Sequence, residues 1–429
     1  MANRAMKDSG VEWIGEIPKG WKVTKLRNCL RTPITDGPHE TPRYVDEGIP
    51  FISVNAINGD GTINRQVANR ISESDARIYN NKTNLEVGDI LFTKAATIGK
   101  IAIVDVVDFM IWSPIAVIKS NKSMYNHFLK YVFMCNGFLS HISNLGTKNT
   151  QINVGMRAME QSKVPVLSLS EQQKIAAFLD EKVAHIDNII EDTKKSIENL
   201  KAYKQSLITE TVTKGLNPNV EMKESGIEWV GLIPIHWEIT KIKWLFREIN
   251  ERNKDENAML LSLFTSIGVR PRNEMEDKGN KSVTVLNYKK VEENDLVVNK
   301  LLAWMGAIGF SDYEGVTSPD YDVYRTIQGA NTFREYYNYY FRDTLFKDDC
   351  FKYGRGIMLM RWRTYPEQLK QIPVVNPPLD EQKEIATFLK EKTTHIDSLI
   401  EEKEKLLNEF TSYKHSLIYE YVTGKKEVK

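Results

Sequence analysis

The sequence repeats itself at long range. Residues Glu171 to Asp187 read EQQKIAAFLDEKVAHID, and Glu381 to Asp397 read EQKEIATFLKEKTTHID, 210 positions later with 11 of 17 identical. A second repeat lies upstream of each: MKDSGVEWIGEIPKGW at Met6 to Trp21 and MKESGIEWVGLIPIHW at Met222 to Trp237, identical at 10 of 16 positions. A chain built this way folds as two copies of one plan, which excludes most single-core architectures. Its 429 residues agree, since one hydrophobic core rarely grows that large.

Between the repeats lie two inserts, about 22–163 and 238–371, whose residues differ while their outline persists. In the first, Ile90 to Thr93 and Ile101 to Val104 read as strands around a turn at Gly99. Ile115 to Lys119 is a third apolar run, and Phe128, Tyr131, Val132, Cys135 and Leu139 fall on one helical face. In the second, Asn294 to Val298 answers Gly88 to Phe92, and Lys300 answers Lys94. Thr332 and Glu335 have capping-box spacing ahead of an aromatic helix. The paired tryptophans Trp13 and Trp21, and Trp229 and Trp237, serve to latch an irregular segment onto each core.

Each insert ends in a long helix. Ser170 and Asp380 are expected as N-caps, with acids in the first turn. Ile186, Ile190, Ile197, Leu200 and Leu207, with Thr193, Lys204 and Thr211 between and after them, step by four and three through the first helix. Ile396, Ile400, Leu407, Phe410 and Leu417 return in the same register through the second, 210 residues later. Lys204 and Lys414 interrupt this seam at equivalent places, as snorkelling stems at its edge or as register-setting residues. The shared endings YKQSLITETVT (203–213) and YKHSLIYEYVT (413–423) match at 8 of 11 positions. The expected fold is therefore α+β, with two mixed α/β domains separated by an antiparallel two-helix coiled coil and an internal pseudo-twofold repeat. The divisions are 1–165, 166–215, 216–375 and 376–429. A 44-residue helix from Ser170 to Thr213 would reach ~66 Å, roughly two turns of duplex DNA at about 34 Å per turn.

Composition narrows the partners. With 58 basic and 57 acidic side chains the net charge is +1, so a polyanion-binding surface must come from local clustering. Three scattered cysteines, Cys29, Cys135 and Cys350, argue against a disulfide frame or a zinc site and for a reducing compartment. No apolar signal core opens the sequence and no stretch approaches the ~18 apolar residues of a membrane span. A cytoplasmic protein is expected.

The EQ-x-x-IA-x-FL-x-EK helix start, the YK-x-SLI-x-E-x-VT ending and the globe–helix–globe–helix order resemble the specificity subunit of type I restriction-modification systems. The resemblance runs over essentially the whole chain. It implies that 1–165 and 216–375 are target recognition domains, each reading one half of a split double-stranded DNA site. The helices 166–215 and 376–429 would space them and dock two methyltransferase subunits, with restriction–translocase subunits joining. S-adenosylmethionine, ATP and Mg are then expected on those partners and no cofactor, metal or catalytic residue in this chain. Asn376-Pro377-Pro378-Leu379 looks like the catalytic tetrapeptide of amino-methyltransferases, but Leu379 cannot stack on a flipped base. The Pro pair reads as a stop before a helix. The competing reading is a non-enzymatic coiled-coil adaptor without DNA specificity.

Phosphates need Lys and Arg, and base edges need side chains of matching donor pattern. In the first insert the candidates are Arg65, Arg70, Lys94, Lys100, Lys148, Gln151 and Arg157, near Asn149, Thr150 and Asn153. In the second they are Arg270, Arg272, Lys300, Arg355, Arg361 and Arg363, with Gly354-Arg355-Gly356 expected as a flexible loop beside Trp362. His185 and His395 occupy equivalent helix positions, as a packed or solvated pair.

Overall fold

The computed structural model describes residues 4–148, 152–265, 267–274, 284–358 and 361–428. The chain divides into two compact units, Met1–Lys195 with Glu404–Lys429, and Ser196–Lys403. Its two long helices, Leu169–Lys214 and Leu379–Val422, each give residues to both units.

In the first unit a hairpin, Met6–Asp8 with Glu16–Pro18, leads into Lys22–Lys25, which pairs antiparallel with Lys163–Val166. That pairing closes the base of the insert. Above it a four-stranded sheet runs in the order Thr35–Asp36, Ile115–Ile118, Ile90–Thr93, Ile101–Ile103. Side chains alternate across a strand, and here both faces are covered. Ile90, Phe92, Ala116 and Ile118 enter one core with the helices, while Leu91, Ile115 and Val117 enter another with a second sheet. This is why these strands read as unbroken apolar runs rather than as alternating ones.

The apolar face from Phe128 to Leu139 is carried by two helices, Asn126–Met134 and Asn136–Asn144, and not by one. Cys135 between them is extended, with ψ of 124°. The break turns Phe138 back onto Phe133 and Trp13, at ring separations of 5.2 and 5.5 Å. Gly137 lies against the Trp13 backbone, where a Cβ would come within 3.0 Å of its carbonyl oxygen.

The second unit repeats the scheme. Its hairpin is Met222–Glu224 with Leu232–Pro234, and Glu238–Lys241 pairs with Pro373–Asn376. The sheet order is Phe246–Ile249, Tyr321–Thr326, Leu296–Asn299, Ile308–Phe310. Leu296 and Val298 face the helical core, and Val297 faces a second, smaller one.

The helix starts differ from expectation. The first long helix begins at Leu169, and Ser168, two residues earlier than expected, supplies the cap: its Oγ accepts from the Glu171 amide at 3.3 Å. Asp380 lies inside the first turn of the second, which begins at Leu379. The capping box at Thr332 does not form, because Phe333 is the N-cap and its amide donates elsewhere. The acceptor is Gln382 Oε1, 2.7 Å away on the long helix. Gln172 does the same for the Tyr125 amide, also at 2.7 Å. Both glutamines are fully buried, and their Nε2 groups donate to backbone carbonyls: Ser123 and Leu167 in the first unit, Asn331 and Pro377 in the second. One residue of the repeated motif thus fastens each insert to its helix.

The repeated tryptophans seal the same junction. Trp21 Nε1 donates to Glu171 at 3.1 Å, and Trp237 Nε1 to Glu381 at 2.9 Å. Each ring also covers a helix end, at Gly424 in the first unit and Gly215 in the second. Both glycines have positive φ, 72° and 77°, the left-handed cap that glycine tolerates. A Cβ there would approach the covering ring to 3.0 Å.

Within each unit the long-helix segments pair antiparallel. In the first, Phe178 meets Tyr421 at 4.5 Å between ring centroids while Asp187 meets Lys414. In the second, Val212 shares a core with Ile385 and Leu389, while Ile197 clusters with Ile396 and Ile400. Ile186 and Leu417 are buried, and Ile190, Leu200, Leu207, Leu407 and Phe410 are half-buried, as seam residues should be. Lys414 Nζ lies 2.6 and 2.8 Å from the two Asp187 oxygens, and Lys204 Nζ 2.7 and 2.6 Å from those of Asp397. No described helix is long and apolar enough to cross a membrane.

Candidate nucleic-acid interface

Formal charge in a sequence does not say whether a side chain can reach a phosphate, and the structure sorts the candidates by their partners. Lys94 is buried, 6% exposed, and held 3.2 Å from the carboxylate of Asp36, which also takes Lys82 at 2.7 Å. Its counterpart Lys300 faces Asp322 at 3.7 Å beside the buried Lys289. Lys94 is thus an internal counter-charge, a correction to its reading as a phosphate contact, whereas Lys300 is half-buried beside a carboxylate. The two carboxylates come from different strands in the two units, so no repeat in the sequence announces them.

Arg65 is spent as well. Its guanidinium donates to Asp108 at 2.8 Å and Asp105 at 2.6 Å, lies over the Phe109 ring, and is held above its ordinary pKa first by the Asp108 hydrogen bond. Lys100 is half-buried with Nζ on the Val54 carbonyl at 3.0 Å. Arg270 pairs with Asp312 at 3.3 Å, and Arg272 is half-buried in the turn Arg272–Glu274. Arg70 is exposed with one bond to the Gly48 carbonyl, and Arg157 is exposed with no acidic partner among the described residues. The Lys148 backbone lies in the strand Thr147–Lys148. Asn149, Thr150 and Gln151 lie outside the described residues.

Three candidates are brought together. Arg355, Arg361 and Arg363 share one hairpin in the second unit, closed by Arg355 N to Arg363 O at 2.9 Å and Arg363 N to Arg355 O at 3.0 Å. None has a carboxylate partner among the described residues. Arg355 lies over the Tyr365 ring at 5.1 Å. The glycines here are not for flexibility, as the sequence suggested: a Cβ on Gly354 would meet Trp362 Nε1 at 2.5 Å, and one on Gly356 the Arg361 carbonyl oxygen at 2.6 Å. They permit close packing.

The first unit has a hairpin at the same place, Thr147–Lys148 with Ile152–Asn153. It follows the helix Asn136–Asn144 and precedes Met156–Gln161, as the second follows Phe346–Tyr353 and precedes Pro366–Leu369. Both return to the same anchor, Val154 N to the Lys94 carbonyl and Thr364 N to the Lys300 carbonyl, each at 2.9 Å. Sequence reasoning missed the apolar residues on the second hairpin, Ile357 and Met358, although the uninterrupted run 357–360 between arginines was there to find.

Asn376 is committed to structure. It is 8% exposed, and its Oδ1 accepts from Tyr337 Oη at 2.9 Å and Gln382 Nε2 at 3.1 Å. The cysteines are buried free thiols, and burial pushes Cys29 up to about 11. His185 and His395 are exposed, and no group of metal-ligating side chains occurs among the described residues.

Comparison with known proteins gives this arrangement a context. Residues 18–199 match the model of the type I restriction modification DNA specificity domain. The chain is 26% identical over 443 residues to a putative type I restriction enzyme specificity subunit, MjaX, of Methanocaldococcus jannaschii, covering 97% of this chain and 96% of that one. It is also 26% identical over 209 residues to the MjaVIII specificity subunit of the same organism, 47% of each chain. Two solved structures share the fold. One is a chain from work on complex assembly and conformational transition of the type I R-M system, with TM-score 0.69, 14% identity, and 96% and 99% of the two chains covered. The other is the HsdS subunit from Thermoanaerobacter tengcongensis, with TM-score 0.51, 13% identity, and 96% and 98% covered.

Proposed function

The chain belongs to the DNA specificity family of type I restriction-modification systems, and on that premise we propose that its two inserts each read one half of a split duplex site. It is the sequence-recognition subunit and is not itself an enzyme. The observation that carries the split reading is a repeated frame with unlike tips. Gln172 and Gln382, Trp21 and Trp237, and the lysine-anchored hairpins recur at equivalent places. The residues that the two hairpins enclose differ in sequence, Asn149, Thr150 and Gln151 in the first and the apolar run 357–360 in the second, and different bases require different donors and acceptors.

The finer arrangement belongs to the same proposal. The two copies are related by a pseudo-twofold axis, and the antiparallel helices hold the inserts apart and set the length of the unread spacer. The helical repeats dock two methyltransferase subunits, and restriction–translocase subunits complete the complex. S-adenosylmethionine, ATP and Mg act on those partners. Arg70, Arg157, Arg355 and Arg361, which are exposed, and the half-buried Arg363 beside them are the phosphate and base contacts best supported, since none has an acidic partner among the described residues.

Exchanging residues 22–163 for the insert of another specificity subunit tests the division of labour. The assembled methyltransferase should change one half of its site and keep the other. A change in both halves, or in neither, would sink the proposal. A plain adaptor would show no sequence-dependent binding at all.

A further inference from the structure

We infer that the Arg355–Arg363 hairpin carries a wedge, Ile357 with Met358, that enters the base stack of the second insert's half-site, whereas the first insert reads without one. The inference rests on the DNA-reading role above. Ile357 is 94% exposed, more than any other large apolar side chain among the described residues, and Met358 is 55% exposed. Isolated exposed hydrophobes are ordinary. These two are adjacent, and they stand among three arginines that have no acidic partner among the described residues.

The support beneath them is tied at several points. The two-way backbone bond between Arg355 and Arg363 closes the hairpin, and the Arg361 amide donates to the Met358 carbonyl at 2.8 Å. Trp362 stacks on Phe351 at 4.7 Å and 20°, with its Nε1 donating to the Phe351 carbonyl at 3.1 Å. Trp304 meets the same ring edge-on at 5.9 Å. Thr364 Oγ1 donates to the Cys350 carbonyl at 2.8 Å. Ile357 and Met358 stand in water beside this support.

Duplex DNA fits both halves of this surface. The guanidinium groups complement phosphates on either side of a groove, and an aliphatic side chain can wedge between two stacked base pairs, the unstacking being offset by its burial. A protein partner would leave the three arginines to be matched by carboxylates. A base step matches apolar tip and cationic flanks together. The equivalent hairpin in the first unit has Ile152 at 40% exposure, and the residues between its two strands, Asn149, Thr150 and Gln151, are all polar in the sequence.

The test uses the full chain assembled with its methyltransferase partner on its mapped site, with 2-aminopurine placed at successive steps of each half but never at the methylated adenine. Fluorescence should rise several-fold at one step, in one half-site only. The double variant Ile357→Ser, Met358→Ser should lose that rise and weaken specific binding about tenfold, with an unchanged dependence on salt because the arginines remain. Specific binding without a rise at any step would overturn the wedge and leave the DNA-reading role standing. So would a rise that survives the variant, and so would a variant that no longer assembles with the methyltransferase, which would make the tip a protein-docking surface. Absence of any sequence-specific binding would overturn the reading itself and the wedge with it.

Discussion

Lys414 grips both carboxylate oxygens of Asp187, and 210 residues earlier Lys204 does the same to Asp397. Each lysine sits where an apolar seam residue is due, and each aspartate closes the repeated 17-residue motif. The lysine of one copy of the motif's ending therefore finds the aspartate of the other copy's beginning. A charge at a seam position fixes register, since sliding by one turn would leave it unpaired. The two pairs differ in burial: Lys414 and Asp187 side chains are 12% and 26% exposed, Lys204 and Asp397 29% and 57%. Asp187→Ala should cost about 1–3 kcal/mol, because it strands a mostly buried ammonium. Asp397→Ala should cost less than about 1 kcal/mol. Thermal unfolding of the two variants would check the order, and equal losses would contradict it.

Gln172 and Gln382 are the second target. Replacing either with Leu orphans an insert amide, that of Tyr125 or Phe333, together with two carbonyls. About 1–3 kcal/mol of stability should go in each case. Hydrogen exchange should speed up at that amide and at the start of the following helix, with little change in the other unit.

The frame was legible because repetition in sequence is repetition in structure, and the seam because its residues recur at helical spacing. What could not be read depends on long-range partners. Gln172 looks like any polar residue in a first turn, and only the fold shows that it holds the Tyr125 amide and that Gln382 holds the Phe333 amide, where a local capping box at Thr332 was expected. Lys94 and Lys300 carry charge, but the strands holding Asp36 and Asp322 lie 58 residues before one and 22 after the other. The division at Cys135 leaves the apolar periodicity of Phe128 to Leu139 nearly intact, so periodicity alone suggests one helix.

Acid should loosen the first unit in a defined window. Asp180 on the long helix accepts from Lys130 at 2.8 Å and Tyr131 at 2.7 Å, with His127 at 3.2 Å. Burial works to raise its carboxyl pKa, but Lys130, Tyr131 and His127 outweigh it, and the group sits below its ordinary range. A depressed carboxylate contributes stability above its unfolded value near ~3.9 and loses it as pH falls through the folded value. Asp180→Asn should therefore lower stability at pH 7, and the gap to the unaltered protein should close below about pH 4. In the second unit the equivalent position, 390, is a lysine and the tie is Tyr339 to Thr393 at 3.2 Å, so that position has no carboxylate to titrate.

Helix length should set the spacer. Inserting one turn, about four residues, into both long helices at matched positions should lengthen the unread gap while leaving both specified halves unchanged. Methylation mapping of the variant reads this directly, and an unaltered gap would remove the ruler from the account.

The most direct measurement is a genome-wide map of methylated adenine in a host carrying this chain with its methyltransferase partner. The account predicts one motif with two specified halves, different from each other and separated by a fixed stretch of any sequence. A single continuous motif, two identical halves, or methylation without regard to sequence would contradict it.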